Sequence, residues 1–298
     1  MTKFSRVILF CFLPLLSVSQ PKTPFVSYDF KSDTLYQKKL IDFKSKEDEQ
    51  STNILKSIAE WSYHYKDWET AIDHYEKLVV LAPLAENYFM LGVAAARRSL
   101  EVSRFFSVPY VVKARKYVLQ AHELQPQKLT YLNLLIQLYA EIPPFLGGSI
   151  DLAKKKLNEL MVLAPLEGMM MQAYLYGVNR DFDAAASKYM EVFRHLEKTY
   201  VDHQDIFLDL KRNFIFDLGR SAAVFKIKSD IALAAINHYI HNYSFTDNYP
   251  LEWAYYYLSK IYFYDNQFNE AQVSIKKALE IKPDFDEGIK FLNQFKLE

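Results

Sequence analysis

Two of the chain's 7 histidines, His238 and His241, stand three residues apart, a spacing that puts two imidazoles on one helix face and can seat a metal ion. Such a site needs further ligands. No cysteine is near, and no Asp or Glu stands one turn further along, so the pair is expected to be structural or exposed. His64 and His74 fall on separate helices of one hairpin, with the same expectation. Gly147-Gly148 is too short to cradle a phosphate, and no Gly-x-Ser-x-Gly elbow occurs. Acidic side chains are scattered over solvated helix positions, so no carboxylate pair for acid–base work emerges. Tyr255, Tyr256 and Tyr257 offer rings that stack on a sugar or a peptide, though the position of Tyr255 is one that a helical hairpin buries. No catalytic residue, metal or cofactor is expected, and the chain is expected to hold other molecules rather than transform them.

The elements that would position such a binding surface repeat. Near the C-terminus, Tyr255, Leu258 and Tyr262 are followed by Ala271, Ile275 and Ala278, then Pro283. Small residues let two helices approach closely, large ones fill the space between hairpins, and proline ends the second helix. The frame recurs as Trp61 with Ala71, Tyr75, Leu78 and Pro83. It recurs as Tyr88, Leu91, Gly92 and Ala95 with Ala114, Val118, Ala121 and Pro126, and as Leu132, Leu135 and Tyr139 with Ala153, Leu157, Leu160 and Pro165. Weaker copies run through Tyr176, Ala185, Tyr189 and Val192, and through Leu218, Gly219, Ala222, Ala235 and Tyr239. This pattern resembles the tetratricopeptide repeat. The expected fold is all-α: a right-handed superhelical tetratricopeptide-repeat solenoid of about six helical hairpins plus a C-terminal capping helix from Phe285 to Phe295.

Composition agrees. Half of the 298 residues are hydrophobic, Tyr and Phe number 22 each, and Gly is scarce at 7. Basic and acidic residues balance at 36 each, so no basic field draws nucleic acid. Residues 1–19 read as a cleavable secretory signal: Lys3 and Arg6, an apolar run from Val7 to Leu16, then Ser17-Val18-Ser19. That apolar run, at about ten residues, is too short to span a bilayer. The single cysteine, Cys11, lies inside it with Phe10 before it, which is not a lipoprotein box, so the mature chain has no disulfide and no stable membrane insertion is expected. Export without disulfides points to a bacterial periplasm or cell surface. Residues 20–50 read as an N-terminal extension and 51–298 as the repeat domain.

Three stretches break the period: about ten extra residues around Ser99–Tyr110, about five within Glu141–Ile150, and an irregular connection at 196–213. The run Asn87–Gly92, a loop Phe105-Phe106-Ser107-Val108-Pro109, the helix Ala114–Pro126 and then Pro143-Pro144-Phe145-Leu146-Gly147-Gly148-Ser149 are together similar to the T-component of tripartite ATP-independent periplasmic transporters. The resemblance covers residues 87–165. It implies an exported, non-enzymatic protein whose partner is a substrate-binding protein. From the residues alone, Pro143 and Pro144 stop a helix, Gly147 and Gly148 permit unusual backbone angles, and Ser149 or Asp151 caps the next helix.

In repeats of this type the first helix of each pair lines the concave face. That register puts Phe89 and Arg97, Asn133 and Gln137, Met170 and Tyr174, Phe216 and Arg220, and Tyr256 and Lys260 on the inner wall, with Pro144, Gly147 and Gly148 in an inserted loop. Two functions follow as expectations. One is a scaffold that binds another exported protein or peptide through the groove and the inserted loops. The other is a transporter accessory carrying a small apolar ligand inside the superhelix. A homo-oligomer fits either.

Overall fold

The computed structural model describes residues 28–46, 51–199, 207, 210–227 and 229–296. The expected leader at 1–19, much of the extension at 20–50 and the middle of the 196–213 connection lie outside these residues. The described chain is all-α: α1 Thr34–Ser45, α2 Thr52–His64, α3 Trp68–Leu81, α4 Ala85–Glu101, α5 Arg104–Leu124, α6 Leu129–Glu141, α7 Ile150–Leu163, α8 Pro165–Val178, α9 Phe182–Thr199, α10 Arg212–Phe225, α11 Asp230–His241, α12 Leu251–Tyr264, α13 Phe268–Ile281 and α14 Asp286–Leu292. Helices α2 to α13 pair as six antiparallel hairpins stacked in chain order, and α14 closes the far end. The result is a helical-hairpin solenoid.

Its repetition is written in the backbone at both edges. Between hairpins, Ala82, Gln125, Ala164 and Lys282 each precede a proline. Each takes nearly the same extended backbone, φ −137, −138, −149 and −136, and each donates its N–H back four residues to end its helix. Proline forbids the helical region to the residue before it, so these four ends are local consequences of sequence. Within hairpins, Lys66, Arg180, Lys226 and Asn266 adopt left-handed φ of 62, 64, 56 and 61. The following N–H then bonds the carbonyl five residues back (Asp67 to Ser62, Asp181 to Tyr176, Ile227 to Ala222, Gln267 to Tyr262). This turn satisfies the last carbonyls of the first helix. Asp67, Asp181 and Ser229 cap the helix that follows it.

Hairpins two and three lack that turn because their insertions occupy it. The first insertion is not a loop. Its residues lengthen both helices, to 17 residues in α4 and 21 in α5, and Phe105–Pro109 is helical with Pro109 inside α5. Proline here removes one hydrogen bond near the helix start, where the carbonyl left over lies in an exposed turn open to water. The second insertion forms a 3-10 turn, Pro144–Leu146. Only Gly147 uses a positive φ, +94. Gly148 is required for space, since a Cβ there would stand 1.6 Å from the Ile142 carbonyl oxygen. Ser149, rather than Asp151, caps α7 by accepting the Leu152 N–H at 3.2 Å.

Within the expected extension, α1 docks on the first hairpin. Tyr36 is buried and donates its hydroxyl to Asp67 at 2.6 Å. The linker between α11 and α12 reaches the same corner from the other end of the chain. Phe245 packs its ring 5.0 Å from Tyr28 and 5.2 Å from His64, and the Lys66 ammonium donates to the Asp247 carbonyl at 3.2 Å. The linker is held in shape by Asp247, which accepts two bonds from Arg212 at 2.9 and 2.6 Å and one from the Ser244 N–H. The solenoid therefore closes on itself, with the first hairpin meeting the linker between the fifth and sixth.

Candidate functional site

Closure brings one side chain of that linker, Tyr249, onto the solenoid axis. Its ring stacks on Phe216 at 4.2 Å and 14°, and its carbonyl accepts the Tyr239 hydroxyl at 2.7 Å. Asp217, Arg220, Arg97 and Glu141 all lie within electrostatic reach of its hydroxyl, which burial first and Asp217 next hold in the neutral form. Tyr174 joins them by donating its hydroxyl to Glu141. Burial, then Glu141, raises the Tyr174 phenol well above its ordinary range. Arg97, on the lengthened end of α4, hydrogen-bonds the Tyr63 hydroxyl, and burial works against its charge.

Arg220 and Asp217 pair at 2.7 Å and keep 27% and 23% of their side-chain surface open. Burial is nonetheless the leading influence on both. It pushes the Asp217 carboxyl up, with Arg220 opposing. It also opposes the Arg220 cation, which Asp217 and the neighbouring tyrosines more than restore. Crowded together, these side chains stay poorly hydrated in a half-buried space. In such a space a hydrogen bond to an ionised group is stronger than in water, and an unpaired one is costlier. With Asp217 and Glu141 beside the two arginines, the lining offers hydrogen-bond partners to a polar group.

The ten side chains expected on the inner wall divide. Arg97, Tyr174 and Arg220 belong to this axial set. Gln137 is exposed. Asn133 is spent on the repeat joint, donating to the Leu129 carbonyl at 2.9 Å and to Glu167 at 2.6 Å, and Glu167 pairs in turn with Lys211 at 3.3 Å. Phe89 packs between repeats, 4.4 Å from Tyr131. Phe216, Met170 and Tyr256 lie in the core and do not face the groove: Phe216 is wholly inaccessible, and Tyr256 is wedged against Trp253, Phe285 and Phe291. The helix register points these large rings at the next hairpin, where apolar area is removed from water. Lys260 lies over the Tyr256 and Tyr264 rings at 5.5 and 5.8 Å. In the inserted loop, Arg115 lies across Gly147, and Pro144 is exposed. Tyr249 and Tyr63 had no signal in the repeat register. The one available clue was an aromatic-rich linker, Tyr243-Ser-Phe245 to Tyr249-Pro250.

Elsewhere, His238 packs on Phe207 at 4.7 Å, and His241 bonds the Asn237 carbonyl at 2.8 Å. Among the described residues no group of three His, Cys, Asp or Glu could hold a metal ion, and no helix is long and apolar enough to cross a membrane.

No family model and no curated protein matches the chain. Solved structures do. A tetratricopeptide repeat protein from Parabacteroides merdae is 12% identical, with 87% of this chain and 96% of that one covered and a TM-score of 0.49. The C-terminal part of a TPR repeat-containing protein from Cytophaga hutchinsonii is 14% identical, with 88% and 95% covered and a TM-score of 0.40.

Proposed function

We propose that the chain is a non-enzymatic, exported scaffold that binds a polar segment of a partner protein in its axial space, through Arg97, Tyr174, Arg220 and Tyr249. The observation that carries this reading is the convergence of these four side chains, drawn from α4, α8, α10 and the closing linker, within electrostatic reach of one another in a half-buried space. Arginine and tyrosine are also the residue types that most often anchor partners. Export rests on residues 1–19, and a substrate-binding protein as partner rests on the resemblance over residues 87–165.

The closed seam between Lys66 and Asp247 favours a second reading, a small ligand held inside the ring. The charged lining makes that ligand polar rather than apolar. Recovery of the tagged full chain from its native envelope separates the two: a co-purifying protein supports the scaffold, and a small molecule retained in native mass spectrometry supports the carrier. Titration calorimetry of the recovered partner against Arg97→Gln with Tyr174→Phe should then show affinity lowered at least about tenfold, or 1.4 kcal/mol. Equal affinity at unchanged melting temperature removes the axis as the binding site.

A further inference from the structure

The tip of the second hairpin is longer than the hairpin edges that flank it. α4 and α5 have 17 and 21 residues where the flanking helices have 13 or 14. At 1.5 Å per residue, the 3–4 extra residues of α4 carry the tip about 5–6 Å beyond its neighbours. The projecting part is apolar and uncovered. Phe105 is 84% exposed and Phe106 65%, their rings meet edge to face at 5.5 Å, and Leu100, Val108 and Val112 are exposed with them. Phe145, 83% exposed, stands on the neighbouring insertion that α5 contacts through Arg115 and Gly147.

Beyond Glu101, the charge along the tip has one sign. No acidic residue occurs between Glu101 and Glu123, while Arg104, Lys113, Arg115 and Lys116 fall in that span. The acids nearest the tip are already matched: Glu101 accepts the Trp68 indole N–H at 2.6 Å, Glu69 pairs with Arg98 at 2.6 Å, and Glu76 pairs with Lys113 at 2.5 Å. Arg104 is exposed beside the phenylalanines, and Lys116, also exposed, follows ten residues further along α5.

We propose that this tip docks the protein on an anionic lipid surface, Phe105 and Phe106 entering the boundary between headgroups and acyl chains while Arg104 meets lipid phosphates. The projection matches the depth to which interfacial segments bury their apolar face, about 5–10 Å. A convex, cation-flanked tip suits a lipid surface better than a protein pocket, which would have to enclose it. The inference concerns a different surface from the axial space and stands apart from the proposed function.

Vesicle flotation with the full chain tests it. Vesicles of phosphatidylcholine mixed with phosphatidylglycerol should carry the protein, and those of phosphatidylcholine alone should carry much less. Added salt should weaken the binding. Phe105→Ser with Phe106→Ser should reduce it at least about tenfold, since each exposed ring contributes apolar area. Both positions are exposed, so circular dichroism and melting should stay unchanged. A Phe106→Trp variant should shift its emission to the blue on the mixed vesicles. Failure to float with either vesicle, or floating unaffected by the double serine variant, overturns the proposal. Capture of a protein by the Phe pair without any vesicle binding overturns it as well.

Discussion

Lys66 and Asp247 are joined across 181 residues of chain by one hydrogen bond, and the lysine that makes it is buried. Burial first, and Arg97 second, lower the Lys66 ammonium to about 8, against Asp247 and Glu101, which raise it. A lysine whose pKa falls on folding destabilises the folded form while it is charged. The penalty is complete below the folded value and fades as pH rises from about 8 toward the unfolded value of 10.5. It amounts to something on the order of 3 kcal/mol. Tyrosine ionisation in the same window acts on every variant alike. The difference in unfolding free energy between the native chain and Lys66→Met should therefore move in favour of the native chain as pH rises from 7.5 to 10, a span of roughly that window. A difference that stays flat would mean the lysine is hydrated in the folded protein.

Arg180 sits at φ 64 in the fourth hairpin turn and is exposed. A side chain in the left-handed region is strained by about 1 kcal/mol, partly offset by the greater entropy glycine loses on folding. Arg180→Gly should stabilise the protein by roughly 0.5 kcal/mol and raise its melting temperature by about 1–2 °C. Destabilisation would mean that the arginine makes a contact worth more than the strain.

Phe216 is fully inaccessible and lies against Tyr249, Tyr239 and Tyr257 at 4.2, 5.0 and 5.8 Å. Phe216→Ala should cost about 3–5 kcal/mol by cavity formation, visible as a lowered denaturation midpoint. A loss below about 1 kcal/mol would mean that the linker collapses into the space.

Ala271 is fully buried where α12 and α13 meet, and the Ser259 hydroxyl donates to its carbonyl at 2.6 Å. Ala271→Trp should overpack this contact by at least roughly 1–3 kcal/mol and loosen the last hairpin. Hydrogen exchange should rise across α12 and α13 and spread into α10 and α11, which share their core. Full protection of those helices in the variant would place Ala271 outside the helix contact.

Repetition was legible where its cause is local. Ala82-Pro83, Gln125-Pro126, Ala164-Pro165 and Lys282-Pro283 announce helix ends because proline constrains its own neighbour. The turns at Lys66, Arg180, Lys226 and Asn266 carry no glycine, so the left-handed residue that shapes four hairpins left no mark in composition. Phe105–Pro109 was expected as a loop from its proline and its surplus length, yet an exposed helix start accommodates both. The candidate axial site is half legible in the repeat register. Arg97, Tyr174 and Arg220 follow from the repeat register, whereas Phe216 and Tyr256 obey the same register and are buried by the neighbouring hairpin. Tyr249 belongs to no repeat, and its place depends on a linker shaped by Arg212, Asp247 and Phe216, which the repeat register does not encode.

The seam at Phe245 and Lys66 also changes the order in which such a chain can assemble. In an open array each hairpin needs only its neighbour, so assembly starts anywhere and the ends fray first. Here the first hairpin, with Tyr28 and α1 behind it, finds its last contact only after the fifth has formed and shaped the linker around Asp247 and Arg212. Closing a loop of that length carries a large entropic cost, so the seam is a late event on the way in and an early one on the way out. Parting of the seam then needs no hairpin to melt.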